Sequence, residues 1–435
     1  MNSASRAAWV KLLDARLRSG RSELISGRVA SVRGGLIEAC VADAVVGQLC
    51  EIEVGEGSVL AEVVGLEGER ARLLPWGSSE GVGVGARVRV RSVPRGRLRV
   101  EEALGRVLNG LGEPVDGGAV VARESGAPSG LFLRRSVGVA DRFETGVAGI
   151  DALAPIGRGA RVAIIGEAGS GKTYLLRQLR ERMVEDVVVI GLVGERAREA
   201  SSLVEEVFGG PLAGRVTVVV ARSEAPASER VAAAELASEL ADSWRGRGRS
   251  CLLLLDSLTR YARALREVAQ VRGEPLGASG FPVTMGSSMA RLLERAGAGL
   301  EGSVTGLYSV LASSEQEQGV VAEEVRSLVD VQLVLRRRLA DRGQFPAVDW
   351  VASMSRLSDD LLTAGELEVG RVCRGGLGLL EQHRDAVELG YYRSGSRPNL
   401  DAAISEEEAL RRALTGGSGD ASWSELASIA ARLRR

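Results

Sequence analysis

A glycine-rich loop between a predicted strand and a predicted helix constrains the fold of this chain most strongly. The stretch GEAGSGKT, residues 166–173, fits the pattern G-x-x-x-x-G-K-[ST]. The apolar, β-branched run RVAII before it predicts a buried strand, and TYLLRQLRERM after it predicts a helix. In such a unit, backbone N–H groups of the loop and the helix N-terminus bind phosphate. The sequence therefore predicts a nucleotide site in an α/β sheet.

The loop pattern assigns a role to each of its residues. Lys172 is expected to reach the terminal phosphates and to assist catalysis, and the Thr173 hydroxyl is expected to ligate Mg²⁺. The chain has 56 lysines and arginines, of which only Lys11 and Lys172 are lysines, so a lysine at this place argues against a chance match. The predicted nucleotide contacts are Gly166, Glu167, Ala168, Gly169, Ser170, Gly171, Lys172, Thr173 and Tyr174.

Length and composition narrow the class of protein. The 435 residues predict two or three domains, and 45% hydrophobic residues predict well-packed cores. A net charge of -1 argues against a nucleic-acid binder driven by bulk charge. The first twenty residues do not fit a signal peptide, and no apolar run is long enough for a membrane span. A single histidine, His383, excludes a multi-histidine metal site.

The four cysteines, Cys40, Cys50, Cys251 and Cys373, are scattered without a C-x-x-C pair. This spacing predicts buried free thiols in a reducing compartment rather than a metal or redox site.

Changes in hydrophobic periodicity divide the chain into four parts. Residues 1–20 have the spacing of an amphipathic helix, and residues 21–95 contain short alternating strands separated by glycine, as in a small β-barrel. Residues 96–357 alternate apolar strands with helices, which predicts a mostly parallel sheet covered on both faces. Residues 358–435 are predominantly helical in pattern, so a small helical domain is expected to end the chain.

Two acidic residues follow predicted buried strands and are candidates for hydrolytic chemistry. Asp256 ends the run CLLLLD, where an acid can hold Mg²⁺, although it could instead cap the next helix. Glu195 ends the run DVVVIGLVGE, where a carboxylate can orient an attacking water. The arginines after it, Arg196 and Arg198, leave a second interpretation open from spacing alone, namely a surface cluster of ion pairs.

Several further motifs occur in a fixed order along the chain: VGERAREA, DSLTRYARALREVA, LLERAG, EEVRSLVD and QFPAVDWVASMSRL. With the phosphate loop, they resemble the hexamer-forming ATPases related to the β subunit of the rotary ATP synthases. Within that family, RYARALREVA and LLERAG are most similar to the ATPases of type III secretion systems, and the injectisome form is closer than the flagellar-export form. The resemblance covers residues 24–410 and implies a RecA-like phosphate-loop ATPase core.

The resemblance also implies roles for individual residues. Glu195 matches the catalytic glutamate that polarises the attacking water, with Arg196 and Arg198 supporting the site. Phe345, in QFPAVD, matches an aromatic residue that stacks on adenine, the alternative being a core phenylalanine. Arg356, in ASMSR, matches an arginine finger that reaches the site of the neighbouring subunit and stabilises transition-state charge.

The function that the resemblance implies is hydrolysis of ATP with Mg²⁺ by a homohexamer that energises type III protein secretion. The ring would release chaperones and unfold cargo at the cytoplasmic, inner-membrane face of a bacterial secretion apparatus, peripheral to the membrane and without nucleic acid. Expected partners are a stator or regulator at the N-terminal helix, a central coiled-coil stalk, and chaperone–cargo complexes at the C-terminal helices.

Residues 311–327 depart most from the family pattern, because the usual paired aspartates and proline are replaced by Glu315, Gln316, Glu317 and Gln318. This departure keeps a degenerate, regulatory nucleotide binder open as an alternative. A catalytic subunit of a proton-coupled rotary ATPase is a second alternative. A third is an RNA translocase of the termination-factor type, which the single aromatic residue of the predicted barrel, Trp76, disfavours.

Overall fold

The computed structural model describes residues 26–33, 35–42, 44–90, 97–124, 138–139, 141–312, 316–417 and 419–434. The helix predicted over residues 1–20 lies outside these ranges. None of the helices within them is long and apolar enough to cross a membrane.

The first domain is a closed barrel of six antiparallel strands in the order β1-β2-β5-β4-β3-β6, which β6 closes by pairing with β1. Alternate side chains, such as Ile37 and Ala39 on β2, are fully buried inside it. Closure leaves no free strand edge. The strands are β1 (Ser26–Arg33), β2 (Leu36–Cys40), β3 (Leu49–Val54), β4 (Gly57–Glu67), β5 (Arg70–Pro75) and β6 (Arg87–Val90). The predicted β-barrel is thus confirmed.

The remaining strands form the central sheet and a short ribbon, β7 with β9. They are β7 (Arg97–Leu98), β8 (Val107–Asn109), β9 (Arg123–Glu124), β10 (Arg161–Gly166), β11 (Val187–Glu195), β12 (Val216–Arg222), β13 (Ser250–Asp256), β14 (Gly297–Ala298), β15 (Ser303–Leu311), β16 (Val331–Leu335) and β17 (Met354–Ser355).

Helices cover the sheet and end the chain. They are α1 (Val100–Ala103), α2 (Ala148–Leu153), α3 (Lys172–Arg182), α4 (Ala197–Phe208), α5 (Ala227–Arg245), α6 (Leu258–Arg272), α7 (Met285–Leu293), α8 (Gln316–Leu328), α9 (Arg337–Asp341), α10 (Ser358–Leu361), α11 (Ala364–Glu388), α12 (Pro398–Thr415) and α13 (Asp420–Leu433), with a 3₁₀ turn at Ala213–Arg215.

The central sheet runs in the order β17-β16-β10-β15-β13-β11-β12-β8, and β14 pairs with β15 outside this path. All neighbours from β16 to β8 are parallel, whereas β17 and β14 pair antiparallel. The mostly parallel sheet is therefore confirmed. It was predicted from four apolar runs, RVAIIG, DVVVIGLVG, RVTVVVA and CLLLLD, which correspond to β10, β11, β12 and β13. Since these strands are parallel, their carboxyl ends meet at one edge, where ligands bind in open α/β sheets.

Three parallel strands of the sheet, β8, β15 and β16, were not among the four predicted runs. β15 lies in the middle of the sheet between β10 and β13. Its apolar pattern is interrupted by Thr305, Gly306 and Ser309, which weakens the signal of a buried strand. The polar side chains are nonetheless fully buried, and Ser309 contributes to the site described below.

The C-terminal helices pack on one face of the sheet rather than forming a separate core. Ile150 and Leu153 of α2, Leu377 of α11 and Leu410 of α12 belong to the same buried cluster as strand residues such as Ile164. The first helix of the group, α11, begins with a capping box between Thr363 and Glu366. The helical domain is therefore attached to the sheet through α2, and the predicted helical end of the chain is confirmed.

The four cysteines are free thiols, of which three are buried as predicted: Cys50, Cys251 and Cys373. The prediction was wrong for Cys40, which is exposed because it is the last residue of β2, where the alternation of the strand turns it away from the barrel interior.

Candidate nucleotide-hydrolysis site

The phosphate loop connects the end of β10 with the start of α3. Gly169 and Gly171 have φ angles of +77° and +87°, a region that side chains with a Cβ disfavour. A Cβ at either position would meet open space, so backbone conformation rather than packing requires glycine there. The Ser170 hydroxyl donates to the Glu167 carbonyl at 2.8 Å and closes the loop. The result is an open cradle of backbone at the N-terminus of α3.

Lys172, the first residue of α3, folds back over this cradle. Its Nζ donates to the carbonyl oxygens of Gly166 at 2.8 Å and Glu167 at 2.7 Å. Burial lowers the pKa of Lys172 to about 8, although the nearby Asp256 carboxylate acts in the opposite direction. The ammonium is therefore held at the phosphate loop by groups that a bound phosphate can replace.

Asp256 ends β13 at the same edge of the sheet. Ser309, on the adjacent strand β15, donates a hydrogen bond of 2.5 Å to its Oδ1. Burial raises the pKa of Asp256, and the Ser309 hydrogen bond opposes this effect. The N-cap of α6 is Ser257, whose side chain accepts from the Arg260 backbone N–H, so Asp256 does not cap that helix. Its carboxylate remains available for a cation.

Glu195 ends β11, the neighbour of β13, and is only 8% exposed. The Arg260 guanidinium, in the first turn of α6, forms an ion pair with its Oε2. Burial acts to raise the pKa of Glu195, but hydrogen bonds from Glu199 and then Arg260 outweigh it and hold the pKa below its usual value. The hydrogen bond with Glu195 raises the pKa of Glu199. Glu195 is thus the carboxylate of this pair that stays ionised.

Of the predicted supporting arginines, Arg196 contacts the Glu195 carboxylate only through its backbone N–H, which donates to Oε1 at 3.2 Å. The Arg196 side chain is 79% exposed and pairs with Glu199 at 3.6 Å, and Arg198 is also exposed. Both lie where the chain leaves β11 and enters α4. The residue that sequence reasoning missed is Arg260. Its signal was present in the motif DSLTRYARA, as an arginine in the first turn after Asp256, but only the pairing of β13 with β11 brings it to Glu195.

Phe345 and Tyr174 form an exposed aromatic pair beside the phosphate loop. Their ring centroids lie 6.4 Å apart with an interplanar angle of 67°, and the residues are 52% and 57% exposed, respectively. Phe345 is therefore not a core residue. Two accessible rings next to the first turn of α3 offer an apolar surface that suits a planar base.

Arg356 lies at the opposite end of the sheet from this edge. It follows β17, which pairs with Val331 at the amino end of β16, and its backbone N–H donates to the Asp330 carbonyl at 2.9 Å. Val331 is aligned with Val162 on β10, and the strand from there to Gly166 spans roughly 13 Å. Arg356 is exposed, and its Nη2 donates to the Arg326 carbonyl at 3.2 Å. The structure thus separates Arg356 from the other predicted catalytic residues of the same chain.

The donors at the edge fit a magnesium nucleotide. The Thr173 hydroxyl, in the first turn of α3, and the Asp256 carboxylate are hard oxygen ligands of the kind Mg²⁺ prefers. The cradle supplies backbone N–H groups and Lys172 for the phosphates, which complete the coordination of the metal in sites of this class.

Comparison with known proteins agrees with this arrangement. Residues 146–355 match the model of the ATP synthase alpha/beta family, nucleotide-binding domain, and residues 29–90 match the beta-barrel domain of the same family. The chain is 38% identical over 413 residues to a type 3 secretion system ATPase of Pseudomonas savastanoi pv. phaseolicola, covering 92% of both chains. It is 37% identical to a flagellum-specific ATP synthase of Salmonella typhimurium, covering 87% of this chain and 86% of that one.

Among solved structures, the assembled ATPase EscN of the enteropathogenic E. coli type III secretion system is similar with a TM-score of 0.83 and 30% identity. The match covers 93% of this chain and 100% of that chain. The chain therefore belongs to the ATP synthase alpha/beta family, in the group that contains the type 3 secretion system ATPases and the flagellum-specific ATP synthases.

Proposed function

We propose that this chain hydrolyses Mg·ATP to drive protein export by a type III secretion apparatus, as a homohexameric ring at the cytoplasmic face of the inner membrane. The observation that carries the proposal is the position of Glu195, a buried carboxylate that pairs with Arg260 at the end of the strand next to that of Asp256. A protein that only bound nucleotide would not need a buried, charged group at that place. The similarity to secretion ATPases over 92% of the chain supplies the biological process.

Each of these residues has a separate role in the proposed hydrolysis. The loop from Gly166 to Thr173 binds the phosphates, and Lys172 exchanges its carbonyl partners for phosphate oxygens. Thr173 and Asp256 would hold magnesium, which neutralises charge on the phosphates. Glu195 accepts a hydrogen bond from the attacking water and orients it, while Arg260 fixes the carboxylate.

Phe345 and Tyr174 are proposed to bind the adenine ring. Their exposed faces lie beside the loop that binds the phosphates. The rings select a planar base through stacking and leave recognition of its edge to other groups.

The site is proposed to be completed by Arg356 of the next subunit in the ring. The position of Arg356 at the far end of its own sheet supports action on a neighbour rather than on its own site. An arginine of this kind is worth about a thousandfold or more in rate in related phosphoryl-transfer enzymes. The description of EscN as an assembled ATPase is consistent with a ring.

The proposed partners follow from the family resemblance. A stator or regulator would bind the N-terminal segment, a coiled-coil stalk would occupy the centre of the ring, and chaperone–cargo complexes would bind at the C-terminal helices. The chain is 38% identical to a secretion relative and 37% identical to a flagellar relative. The proposal therefore names a type III apparatus without choosing between the secretion and the flagellar form.

Secretion by the source bacterium tests the proposed process. A chromosomal Glu195→Gln substitution should stop export of type III substrates into the medium while the variant protein accumulates normally. Glu205→Gln, an exposed position on α4, is the matched control and should leave export unchanged. Continued export by the Glu195→Gln strain would contradict the proposal.

A further inference from the structure

Arg374, on the C-terminal helix α11, binds two segments of the chain, one that continues to the phosphate loop and one that continues to Arg356. Its Nη1 donates to the carbonyl oxygens of Trp350 at 2.9 Å and Val351 at 3.3 Å, and also to that of Ser353. Its Nη2 donates to the carbonyl of Leu153 at 2.5 Å. Burial lowers the pKa of Arg374, against the opposing charge of Asp349, yet a guanidinium keeps its proton at neutral pH.

One of these segments is the end of α2, which continues into β10 and the phosphate loop. Helix α11 approaches α2 closely at Gly370, where a Cβ would lie 2.8 Å from the Ala152 carbonyl oxygen. Arg374 comes one helical turn later on the same face and binds the next carbonyl of α2, that of Leu153. The two contacts fix α11 against the helix that precedes the phosphate loop.

The other segment runs from Asp349 to Arg356 and is ordered by its own hydrogen bonds. The Asp349 carboxylate accepts from the backbone N–H groups of Val351 at 3.2 Å and Ala352 at 3.1 Å. The Ser353 hydroxyl donates to the Asp349 carbonyl at 2.7 Å and accepts from the Val334 N–H at 2.9 Å. These bonds leave the carbonyls of residues 350, 351 and 353 to Arg374, which therefore completes the turn just before Arg356.

Among the described residues, little fixes the direction of the Arg356 side chain within the subunit. Its side chain is exposed, and the hydrogen bond described for its guanidinium is the one to the Arg326 carbonyl. The direction of the side chain consequently depends on the backbone that carries it. A misplacement of about 1 Å at a catalytic group can cost about a hundredfold in rate.

We propose that Arg374 is a positioning residue that sets the placement of Arg356, so that the C-terminal helices control the active site of the neighbouring subunit. This inference rests on the proposed function, in which Arg356 acts on the next subunit. The Arg374 guanidinium connects α11 both to the segment before the phosphate loop and to the segment before Arg356. A force or partner that tilts α11 would therefore move both segments together.

Steady-state kinetics of the full-length protein give the first part of the test. Arg374→Met should lower kcat by about a hundredfold while the Kd for a fluorescent ATP analogue stays within about twofold. Arg374→Lys keeps the cation but lacks the planar fork that reaches both segments, so it should recover part of kcat. Arg371→Met is the matched control, since the Arg371 side chain is 76% exposed, pairs with Glu368 and should leave both values unchanged.

Mixed rings give the second part of the test. If the Arg374→Met substitution only damaged the structure of its own subunit, mixing would not restore turnover. Glu195→Gln subunits have no active site of their own but carry an intact Arg356. Mixing Arg374→Met subunits with an excess of Glu195→Gln subunits should therefore restore turnover at the Arg374→Met sites to near the wild-type rate. If Arg374→Met protein does not assemble, Arg374→Lys is mixed in the same way and the same recovery is expected.

The control mixture, Arg356→Ala with Glu195→Gln, separates this inference from the proposed function. Recovery in the control mixture but not in the Arg374 mixture would overturn the positioning role alone. Failure of recovery in the control mixture would overturn the action of Arg356 on a neighbour, and the positioning role with it. An unchanged kcat for Arg374→Met would also overturn the positioning role.

Discussion

At the scale of single residues, Arg260 acts with Glu199 to keep Glu195 ionised. The carboxylate is buried, which alone would favour the neutral form. The ion pair with Arg260 is one of the interactions that instead lower the pKa of Glu195 and favour the charged form. A neutral carboxyl cannot orient water as a hydrogen-bond acceptor with both oxygens. In the proposed mechanism, Arg260 thereby acts on the reaction through the charge of Glu195.

Replacing Arg260 with methionine should raise the pKa of Glu195, because burial then acts with less opposition. The acid limb of the pH profile of kcat/KM should therefore move to higher pH. Steady-state assays must extend below pH 4.5, because the pKa of Glu195 in the wild-type protein is lowered from that ordinary carboxyl value. Arg272→Met, at the other end of α6, should leave the limb in place. An unchanged profile in Arg260→Met would mean that Arg260 does not govern Glu195.

Lys172 should make nucleotide binding sensitive to alkaline pH. Its pKa is lowered to about 8, so the side chain is charged below that pH and loses its proton as the pH rises through it. Phosphate binding favours the ammonium, and the affinity for ADP should therefore fall above pH 8, by up to about tenfold per pH unit. Titration calorimetry between pH 7 and pH 9.5 measures the fall. Lys172→Arg should lack this step, and a flat profile in the wild-type protein would contradict the lowered pKa.

At the scale of elements, β15 supplies a group to the proposed magnesium site although it carries no predicted catalytic residue. The Ser309 hydroxyl donates to Asp256 and opposes the effect of burial on that carboxylate. Ser309→Ala should raise the pKa of Asp256 and thus weaken its hold on Mg²⁺. The Mg²⁺ concentration for half-maximal ATPase activity is expected to rise by about tenfold, the worth of one hydrogen bond to a charged group.

The matched control for this change is Ser303→Ala, at the first residue of the same strand and far from the carboxyl edge. It should leave the Mg²⁺ requirement unchanged. If Ser309→Ala also left that requirement unchanged, the hydrogen bond would have no part in metal binding.

The strands show what local sequence patterns can and cannot predict. Runs such as CLLLLD are apolar throughout, so β13 and the position of Asp256 at its end could be predicted. β15 could not, because Thr305 and Ser309 interrupt its pattern and become acceptable only through buried hydrogen bonds. Arg260 was missed for a related reason. Its contact with Glu195 depends on β13 lying next to β11, and a local sequence pattern does not predict strand order.

At the scale of the whole molecule, a ring is proposed because the predicted catalytic residues of one chain lie at two opposite ends of its sheet. The carboxyl edge of the sheet carries Lys172, Asp256 and Glu195, and the opposite end carries Arg356. The resemblance identified Arg356, but its distance from the other residues came from the register of β16 and β17. The limits of the four predicted parts, at residues 20, 95 and 357, stay predictions.

The most direct test of this account is ATP turnover by mixed rings of Glu195→Gln and Arg356→Ala subunits. Each variant alone should bind nucleotide and be nearly inactive, with turnover lowered by about a thousandfold or more. A mixture contains sites with an intact Glu195 from one subunit and an intact Arg356 from its neighbour, and its turnover should rise far above the sum of the two variants. A mixture no more active than that sum would contradict a site shared between subunits.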